Sequence, residues 1–455
     1  MEPFHTKVAD PELWEGALFI ARRLKNAGYL VYFAGGAVRD LLLGRTVSDI
    51  DVVTSAPPER VEALFERTIP VGRQFGVVIV VEGNHQYEVA TFRGEDKYLD
   101  GRHPSEVVFA DPETDARRRD FTVNALFYDP FSETIIDFVG GREDLARGVL
   151  RAVGDPYARF REDRLRLLRA VRLACQLDFT IEAATFDAIR REAAGVGEVS
   201  AERVRDELIR LLTGPAPARG LDLLLETGLL QVILPEVFAM VGVPQPPEFH
   251  PEGDVFAHTR LMFEKADSLH ETLALGVLLH DVGKPPTFRV EDRIRFDGHA
   301  EVGAETAVEI CRRLRFPNQT TLRVKELVRQ HLRFMHVREM RVSTLKRFLL
   351  QEHFEDHLEL HRLDCLASHG DLTNYEFCRE KLEELQREPT RMPRLLTGHD
   401  LIDAGFRPGP IFSRILGSLE DLQLEGKITS REDALRWLKT NWSADPSTAA
   451  PNGEG

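Results

Sequence analysis

Between residues 11 and 28 apolar side chains return at helical spacing, with Leu13, Ala17, Ile20, Ala21 and Leu24 on one face. This predicts an amphipathic helix. The period then shortens. YLVYFAGG at 29–36 reads as a buried strand running into two glycines, and AVRDLLLG as a helical turn closed by Gly44. DIDVVTS, from Asp49, alternates like a second strand. PPERVEALFER reads as a helix opened by proline, and VVIVVEG with QYEVATFR as a hairpin. This β–α–β–α–β–β order predicts a small mixed sheet with helices on one side, the start of an α+β protein. Residues 94–118 are polar and irregular, and so long a loop inside a compact head is usually functional or mobile.

From about residue 141 the pattern turns helical. GPAPARG at 214–220 breaks it, and proline-rich VGVPQPPEFHPEGD at 241–254 reads as a linker. TGHDLIDAGFRPGP at 397–410 breaks it again before two more helices. These breaks predict a head at 1–140, a helical neck at 141–240, a third block at 241–370 and a helical tail at 371–442. Residues 443–455 are too polar to bury a core and should be disordered.

Composition narrows the class. A hydrophobic fraction of 43% is enough for several buried cores. No apolar run approaches the ~20 residues that span a bilayer. MEPFHTKVADPELWEG lacks the basic flank and apolar core of a secretory signal, so the cytoplasm is the default expectation. The four scattered cysteines form no CxxC pair and read as buried, reduced thiols. A net charge of −15 argues against nonspecific nucleic-acid binding, so RNA would need a local basic surface. Two exist: Arg117–Arg119, and the run from Arg161 to Arg172 with its five arginines.

The first chemical constellation is Gly35-Gly36-Ala37-Val38-Arg39-Asp40, followed after eight intervening residues by Asp49-Ile50-Asp51. On a strand, side chains two apart share a face, so Asp49 and Asp51 could jointly hold divalent ions. Two such ions suit nucleotidyl transfer. Glycines let a triphosphate approach the backbone, and Arg39 could bond phosphate. A DxD alone is equally compatible with a solvated strand end; the ordered set strand–GG–helix–DxD carries the reading.

GGAVRDLLLGRTVSDIDVVTSA resembles the head signature of the class II tRNA nucleotidyltransferase and bacterial poly(A) polymerase family. VGRQFGVVIV, EVATFR, RRRDFTVNALFYDP and REDRLRLLRAVRLACQLDF follow in the family's order. The resemblance runs from residue 29 to 180 and resumes at LIDAGFRPGPIFSRIL, which is similar to the tRNA-adding branch. It implies a polymerase-beta-like nucleotidyltransferase head followed by an all-helical neck, HD domain and tail. It also implies addition of C and A from CTP and ATP to the tRNA 3′ end, with Mg2+ on Asp49 and Asp51. Gly36 and Arg39 would contact the triphosphate, Glu88 could be a third carboxylate near the metals or a solvated strand residue, and Arg119-Asp120 would handle the ribose. Asp163 and Arg166 would pair with the base: cytosine and adenine both present an exocyclic amine beside an unprotonated ring nitrogen. Arg169 and Arg172 would hold phosphates. The segment with Asp96, Tyr98, Asp100, Arg102 and Pro104 resembles the family's flexible loop and implies competence for A. The near rival, poly(A) polymerase, usually carries GRRFRLxHV and a basic tail; here GRQFGVVIV and an acidic tail favour tRNA. Dedicated A-adding or CC-adding specialists share the same motifs.

His258, His280-Asp281, His299, His331 and Asp364 recur through the third block, with LLHDVGKP the sharpest piece. Adjacent His and Asp on one turn can reach a single metal, and imidazole with carboxylate suits Mn, Fe, Ni or Zn. The set resembles the HD phosphohydrolase superfamily. That likeness implies one ion on His258, His280, Asp281 and Asp364 and a second held with His299 and His331, with phosphatase or 2′,3′-cyclic phosphodiesterase activity. Two other classes stay open: an HD phosphohydrolase with an RNA-binding head, and a noncatalytic RNA-binding protein. The sequence points to no membrane and names no protein partner.

Overall fold

A computed structural model of the chain describes residue 8 and residues 10–70, 76–94, 110–247, 250–251, 253–387 and 394–442. The first helix, α1 (Pro11–Asn26), opens on Asp10, whose carboxylate accepts from Glu12 N at 2.9 Å. All five apolar residues that predicted it are buried. The head continues as β1 (Val31–Ala34), α2 (Gly36–Leu42), β2 (Asp51–Thr54), α3 (Pro58–Leu64), β3 (Thr68–Ile69), β4 (Val77–Glu82), β5 (His85–Thr91), α4 (Pro112–Arg117), β6 (Leu126–Asp129), β7 (Thr134–Asp137) and α5 (Gly141–Arg147).

The seven strands form one sheet in the order β3-β4-β5-β2-β1-β6-β7. β2 and β5 run parallel, with Val52 opposite Val89, and the other pairs run antiparallel. The expected mixed sheet is present, with three more strands than the pattern showed. β3 has only two residues, and β6–β7 lie beyond the irregular stretch. Both faces are covered. On one, Trp14 of α1 meets Phe33 edge to face at 5.5 Å. On the other, Ala34, Val53, Phe92 and Phe127 pack with Ala116 of α4. The expectation of helices on one side is therefore corrected. Residues 112–117, expected to be irregular, are helical because Asp111 caps them, accepting from Thr114 N at 3.0 Å.

The neck contains β8 (Val149–Leu150), α6 (Pro156–Glu162), α7 (Leu165–Leu177), β9 (Thr180–Ile181), α8 (Ala183–Glu192), α9 (Ala201–Leu212), α10 (Pro217–Glu226), α11 (Leu229–Ile233) and α12 (Pro235–Phe238). The helical pattern from residue 141 does not run unbroken through 162–172. Asp163 adopts extended backbone (φ −143°, ψ 105°) between α6 and α7. Beyond residue 242 come α13 (Val255–Lys265), α14 (Glu271–Leu279), α15 (Lys284–Thr287), α16 (His299–Arg313), α17 (Asn318–Gln330), a 3-10 turn at His331–Glu339, α18 (Val342–Leu349) and α19 (Phe354–Ala367). They are followed by α20 (Thr373–Arg387), α21 (Gly398–Asp403), α22 (Pro410–Leu424) and α23 (Arg431–Asn441). α21 interrupts the break expected at 397–410, because Thr397 and Asp400 form a capping box.

The chain divides into two compact units: residues 1–242 with 266–274 and 308–321, and the remainder. The proline-rich stretch expected as a linker is not a free one. Gln245 within it is buried, and Pro244 bridges Asp254. All four cysteines are buried and free of disulfides. Among the described residues no helix is long and apolar enough to cross a membrane. The loop residues Asp96 to Pro104, Arg73–Phe75 and the tail from 443 lie outside the described residues.

Candidate active site and a second, histidine-rich centre

Asp51 opens β2 opposite Ala34, and Asp49 lies two residues earlier, just before the strand. Ile50 between them is buried in the core, so strand alternation turns the two carboxylates to the other face. Glu88 stands one position before Val89 on β5, as Asp51 stands one before Val52 on β2, so the parallel register sets them side by side. Burial, then the charges of Glu88 and Asp49, push the Asp51 carboxyl up to about 7, while Arg119 opposes them. The head thus concentrates negative charge at one end of the face lined by Val53, as a divalent cation requires.

The turn before α2 faces this cluster. Gly35 has φ +72°, and a Cβ there would stand 3.3 Å from Asp51 Oδ2 and 3.6 Å from Arg119 Nη1. A Cβ on Gly36 would meet Arg39 Nη2 at 3.6 Å. Arg39 is buried. It donates to both oxygens of Asp40, at 2.9 and 2.8 Å, and to Asn124 Oδ1 at 2.7 Å. Arg119 donates to Asp115 Oδ2 through Nε and Nη2, at 3.1 and 3.0 Å, and to the Asn124 carbonyl at 3.2 Å. Asp120 turns toward the neck, where Arg169 grips it.

In the neck, the break between α6 and α7 positions the expected base readers. Asp163 caps α7, its Oδ1 accepting from Leu165 N at 3.0 Å, and its Oδ2 accepts from Arg203 at 2.8 Å. Arg166 donates to Glu162 Oε2 at 2.7 Å and to the carbonyls of Arg159 and Arg118, at 3.0 and 3.3 Å. Both therefore hold protein partners at the hydrogen-bonding ends that would face a base. Arg172 is buried between Glu207 at 2.6 Å and Gln176 at 2.7 Å, so it faces the helix packing of the neck. Glu207 also lies 3.9 Å from Arg169.

The second unit brings all six expected residues of the third block together. His258 Nε2 lies 3.0 Å from Asp364 Oδ1, and His280 Nε2 lies 3.2 Å from Asp281 Oδ2. Ligand atoms close to within 4.8 Å in two trios: His258, His280 and Asp364, and Asp281, His299 and His331. By distance Asp281 falls in the second trio, with a further contact to His280 of the first. Asp281 has Oδ2 toward His280 and Oδ1 toward His299 and His331, at 3.5 and 3.7 Å, so it stands between the trios. Among the described residues the head carboxylates do not close this tightly.

The chemistry of this centre fits metal. Nδ1 of His280, His299 and His331 each meets the carbonyl three residues earlier, at 2.9, 2.8 and 2.6 Å. Those bonds hold the Nδ1–H and leave Nε2 as a lone pair. Yet Nε2 of His299 and Nε2 of His331 face each other at 3.3 Å, and His280 Nε2 and Asp281 Oδ1 are buried without a hydrogen-bond partner. Burial pulls the His331 imidazole down to about 4, so a proton is a poor solution there and a cation a good one. Gly283 makes the arrangement possible. A Cβ there would stand 2.1 Å from the His299 carbonyl and 2.5 Å from Gly303 N.

Asp115, Asn124, Arg203, Glu207 and Lys284 escaped the sequence reading. Asp115 carried a usable signal, standing three and four residues before Arg118 and Arg119 in a helix. Lys284 likewise stands three residues after Asp281 and Asn124 four after Asp120, whereas Arg203 and Glu207 act across long sequence separations that no local spacing marks.

Residues 31–151 match the Poly A polymerase head domain, residues 178–240 the probable RNA and SrmB-binding site of polymerase A, and residues 254–369 the HD domain. The CCA-adding enzyme of Levilactobacillus brevis is 34% identical over 428 residues, 93% of this chain and 97% of that protein. The CCA-adding enzyme of Geobacillus stearothermophilus is 48% identical over 217 residues, 48% of this chain and 54% of that protein. Among solved structures, the Bacillus stearothermophilus CCA-adding enzyme in complex with CTP superposes with a TM-score of 0.64 at 28% identity, covering 97% of this chain and 98% of that one. The Thermotoga maritima CCA-adding enzyme complexed with tRNA shares the fold, with a TM-score of 0.62 at 19% identity over 96% and 97% of the two chains. Agreement along nearly the whole length of both sequences, with the carboxylate cluster in its matched head, places the chain in the family of CCA-adding enzymes.

Proposed function

We propose that the chain is a template-independent tRNA nucleotidyltransferase that adds C and A from CTP and ATP to the tRNA 3′ end. The observation that carries this reading is the crowding of Asp49 and Glu88 on Asp51 beside the Gly35 turn. An all-oxygen donor set suits Mg2+, held by Asp49 and Asp51 with Glu88 near by. Bound there, the ions would lower the pKa of the attacking 3′-hydroxyl and neutralise the departing pyrophosphate. Gly36 lets the triphosphate approach, and Arg39, beside it, supplies a fixed positive charge. Arg119 and Asp120 face the ribose. Asp163 accepts from the exocyclic amine of C or A, and Arg166 donates to the neighbouring ring nitrogen. To do so they exchange Arg203 and Glu162 for the base. Uracil and guanine would leave those groups unpaired, which discriminates strongly. Arg169 holds phosphate on the same side, and Arg172 supports it through Glu207. The units of this reading are a head at 1–140, a neck at 141–240, an HD domain at 241–370 and a tRNA-binding tail at 371–442.

The test uses tRNA ending in the discriminator base, in CC and in CCA, each with all four nucleotides. Sequenced products from the first should end in CCA, from the second in CCA, and from the third unchanged. Asp49→Ala and Asp51→Ala should abolish incorporation; unchanged incorporation in either variant refutes the head assignment.

The paired trios favour a second activity. His258, His280 and Asp364 would hold one transition metal (Mn, Fe, Ni or Zn) and His299 and His331 another, with Asp281 between. Such a centre would supply a metal-activated hydroxide for phosphoester hydrolysis. Phosphatase or 2′,3′-cyclic phosphodiesterase activity that survives Asp51→Ala and is lost in Asp364→Ala would assign it.

A further inference from the structure

We propose that Asn124 is a positioning residue of the nucleotide site, setting the phosphate-facing Arg39 and the ribose-facing Asp120 at a fixed separation. The inference rests on the reading of Arg39, Arg119 and Asp120 given above. Asn124 ends a single 3-10 turn, Thr122–Asn124, and is 8% exposed. Its Oδ1 accepts from Arg39 Nη1 at 2.7 Å, and its Nδ2 donates to Asp120 Oδ1 at 3.2 Å. Its backbone carbonyl accepts from Arg119 Nη1 at 3.2 Å. One residue thus touches three groups of the site, from segments as far apart in sequence as residues 39 and 120.

Only an amide suits this place. The oxygen end must meet a guanidinium and the nitrogen end a carboxylate, so the orientation of the amide is unambiguous. A carboxylate at 124 would repel Asp120, a cation would repel Arg39, and a hydroxyl is too short to reach both. The turn is also held from behind. Thr122 Oγ1 donates to the buried Asp144 at 2.7 Å, and Gly141 packs so tightly that a Cβ would fall 2.2 Å from the Thr122 carbonyl. A stiff turn with a two-ended side chain transmits position, and near-attack geometry is sensitive to shifts of about 1 Å. Asp120 Oδ1 takes its remaining bond from Phe121 N at 2.8 Å, so loss of Asn124 leaves that oxygen under-held on the ribose side.

The test compares CTP with dCTP on full-length protein, using tRNA that lacks its 3′ nucleotides. Asn124→Asp is isosteric, keeps the acceptor for Arg39 and loses the donor to Asp120. It should raise the KM for CTP more than it lowers kcat, and shrink the CTP/dCTP ratio of kcat/KM by about tenfold or more. Asn124→Ser is measured alongside and should shrink the ratio in the same direction. A folded variant that slows both nucleotides equally, with the ratio unchanged, shows a merely structural residue and overturns the inference. If Asn124→Asp fails to fold, the serine variant decides by the same ratio. A wild-type chain that incorporates neither nucleotide overturns the activity itself, and this inference with it.

Discussion

Arg169 grips Asp120 by one oxygen, Oδ2, through Nε at 2.9 Å and Nη2 at 2.7 Å. The bond ties the turn after α4 to α7, and so the head to the neck. Burial alone would raise the Asp120 pKa, but the charge and hydrogen bonds of Arg169, with Arg166 and Asn124, together outweigh it and hold the carboxyl below its ordinary value. A group depressed in the folded state contributes stability above its unfolded pKa of about 4 and loses it as pH falls through the folded value. Arg169→Ala should therefore cost about 2 kcal/mol at pH 7, less than a fully buried pair because Arg169 is partly solvated. In urea unfolding the gap between wild type and variant should narrow below about pH 4; an equal gap at both pH values would contradict the pairing.

Asp51 makes the opposite case. Its raised pKa means that, without divalent metal, ionising it costs stability. The folded protein is unpenalised below the unfolded pKa of about 4 and loses stability as pH rises toward about 7. Asp51→Asn removes the penalty. In chelator at pH 8 this variant should melt higher than wild type, by up to about 3 kcal/mol of stability, and the difference should vanish near pH 4. It should also transfer no nucleotide. A variant less stable than wild type at pH 8 would count against the carboxylate cluster.

Gly35 bears on catalysis more than on folding. Gly35→Ala forces a side chain into φ +72° and sets its Cβ 3.3 Å from Asp51 Oδ2. The backbone strain should cost about 1–2 kcal/mol. Nucleotidyl transfer should fall by about a hundredfold or more, since the Asp51 carboxylate of the proposed site is pushed aside. Activity lost only in proportion to folded protein would mean that the turn stands away from the reaction.

Asp281 joins the two trios of the second unit, and Lys284 Nζ lies 2.6 Å from its Oδ2 and 2.6 Å from Gln245 Oε1. Burial would raise its carboxyl, but the groups around it, the Lys284 ammonium among them, together hold it well below its ordinary value. Asp281→Asn should empty both metal positions, whereas Asp364→Ala should empty one, read as metal per chain by elemental analysis. Transfer of CTP to tRNA should persist in both, because the head carboxylates are untouched. Equal metal content in the two variants would show that Asp281 serves a single ion.

Much of this was legible before any coordinates. Leu13 to Leu24 announced α1 because a helix repeats its buried face every 3.6 residues. Asp49 and Asp51 announced a shared face because a strand repeats every two. His280-Asp281 announced the turn on which the histidine-rich cluster of the second unit converges. Local rules of this kind failed at Asp163, where a run rich in helix formers is broken by an extended residue that caps the next helix and binds Arg203. They failed also at 241–254, where prolines suggested a linker but Gln245 is drawn inward by the buried ammonium of Lys284.

Local order therefore carried the elements, the carboxylate pair and the adjacent His280-Asp281, since each depends on neighbours within a few positions. Folding alone chose the partners. It set Glu88 beside Asp51 through a parallel pairing of distant strands, set Asp281 between two clusters of histidines, and inserted Asn124 between Arg39 and Asp120. The physical reason is that a charge or a buried amide is governed by whatever lies within hydrogen-bonding reach in space, and chain order does not encode that distance.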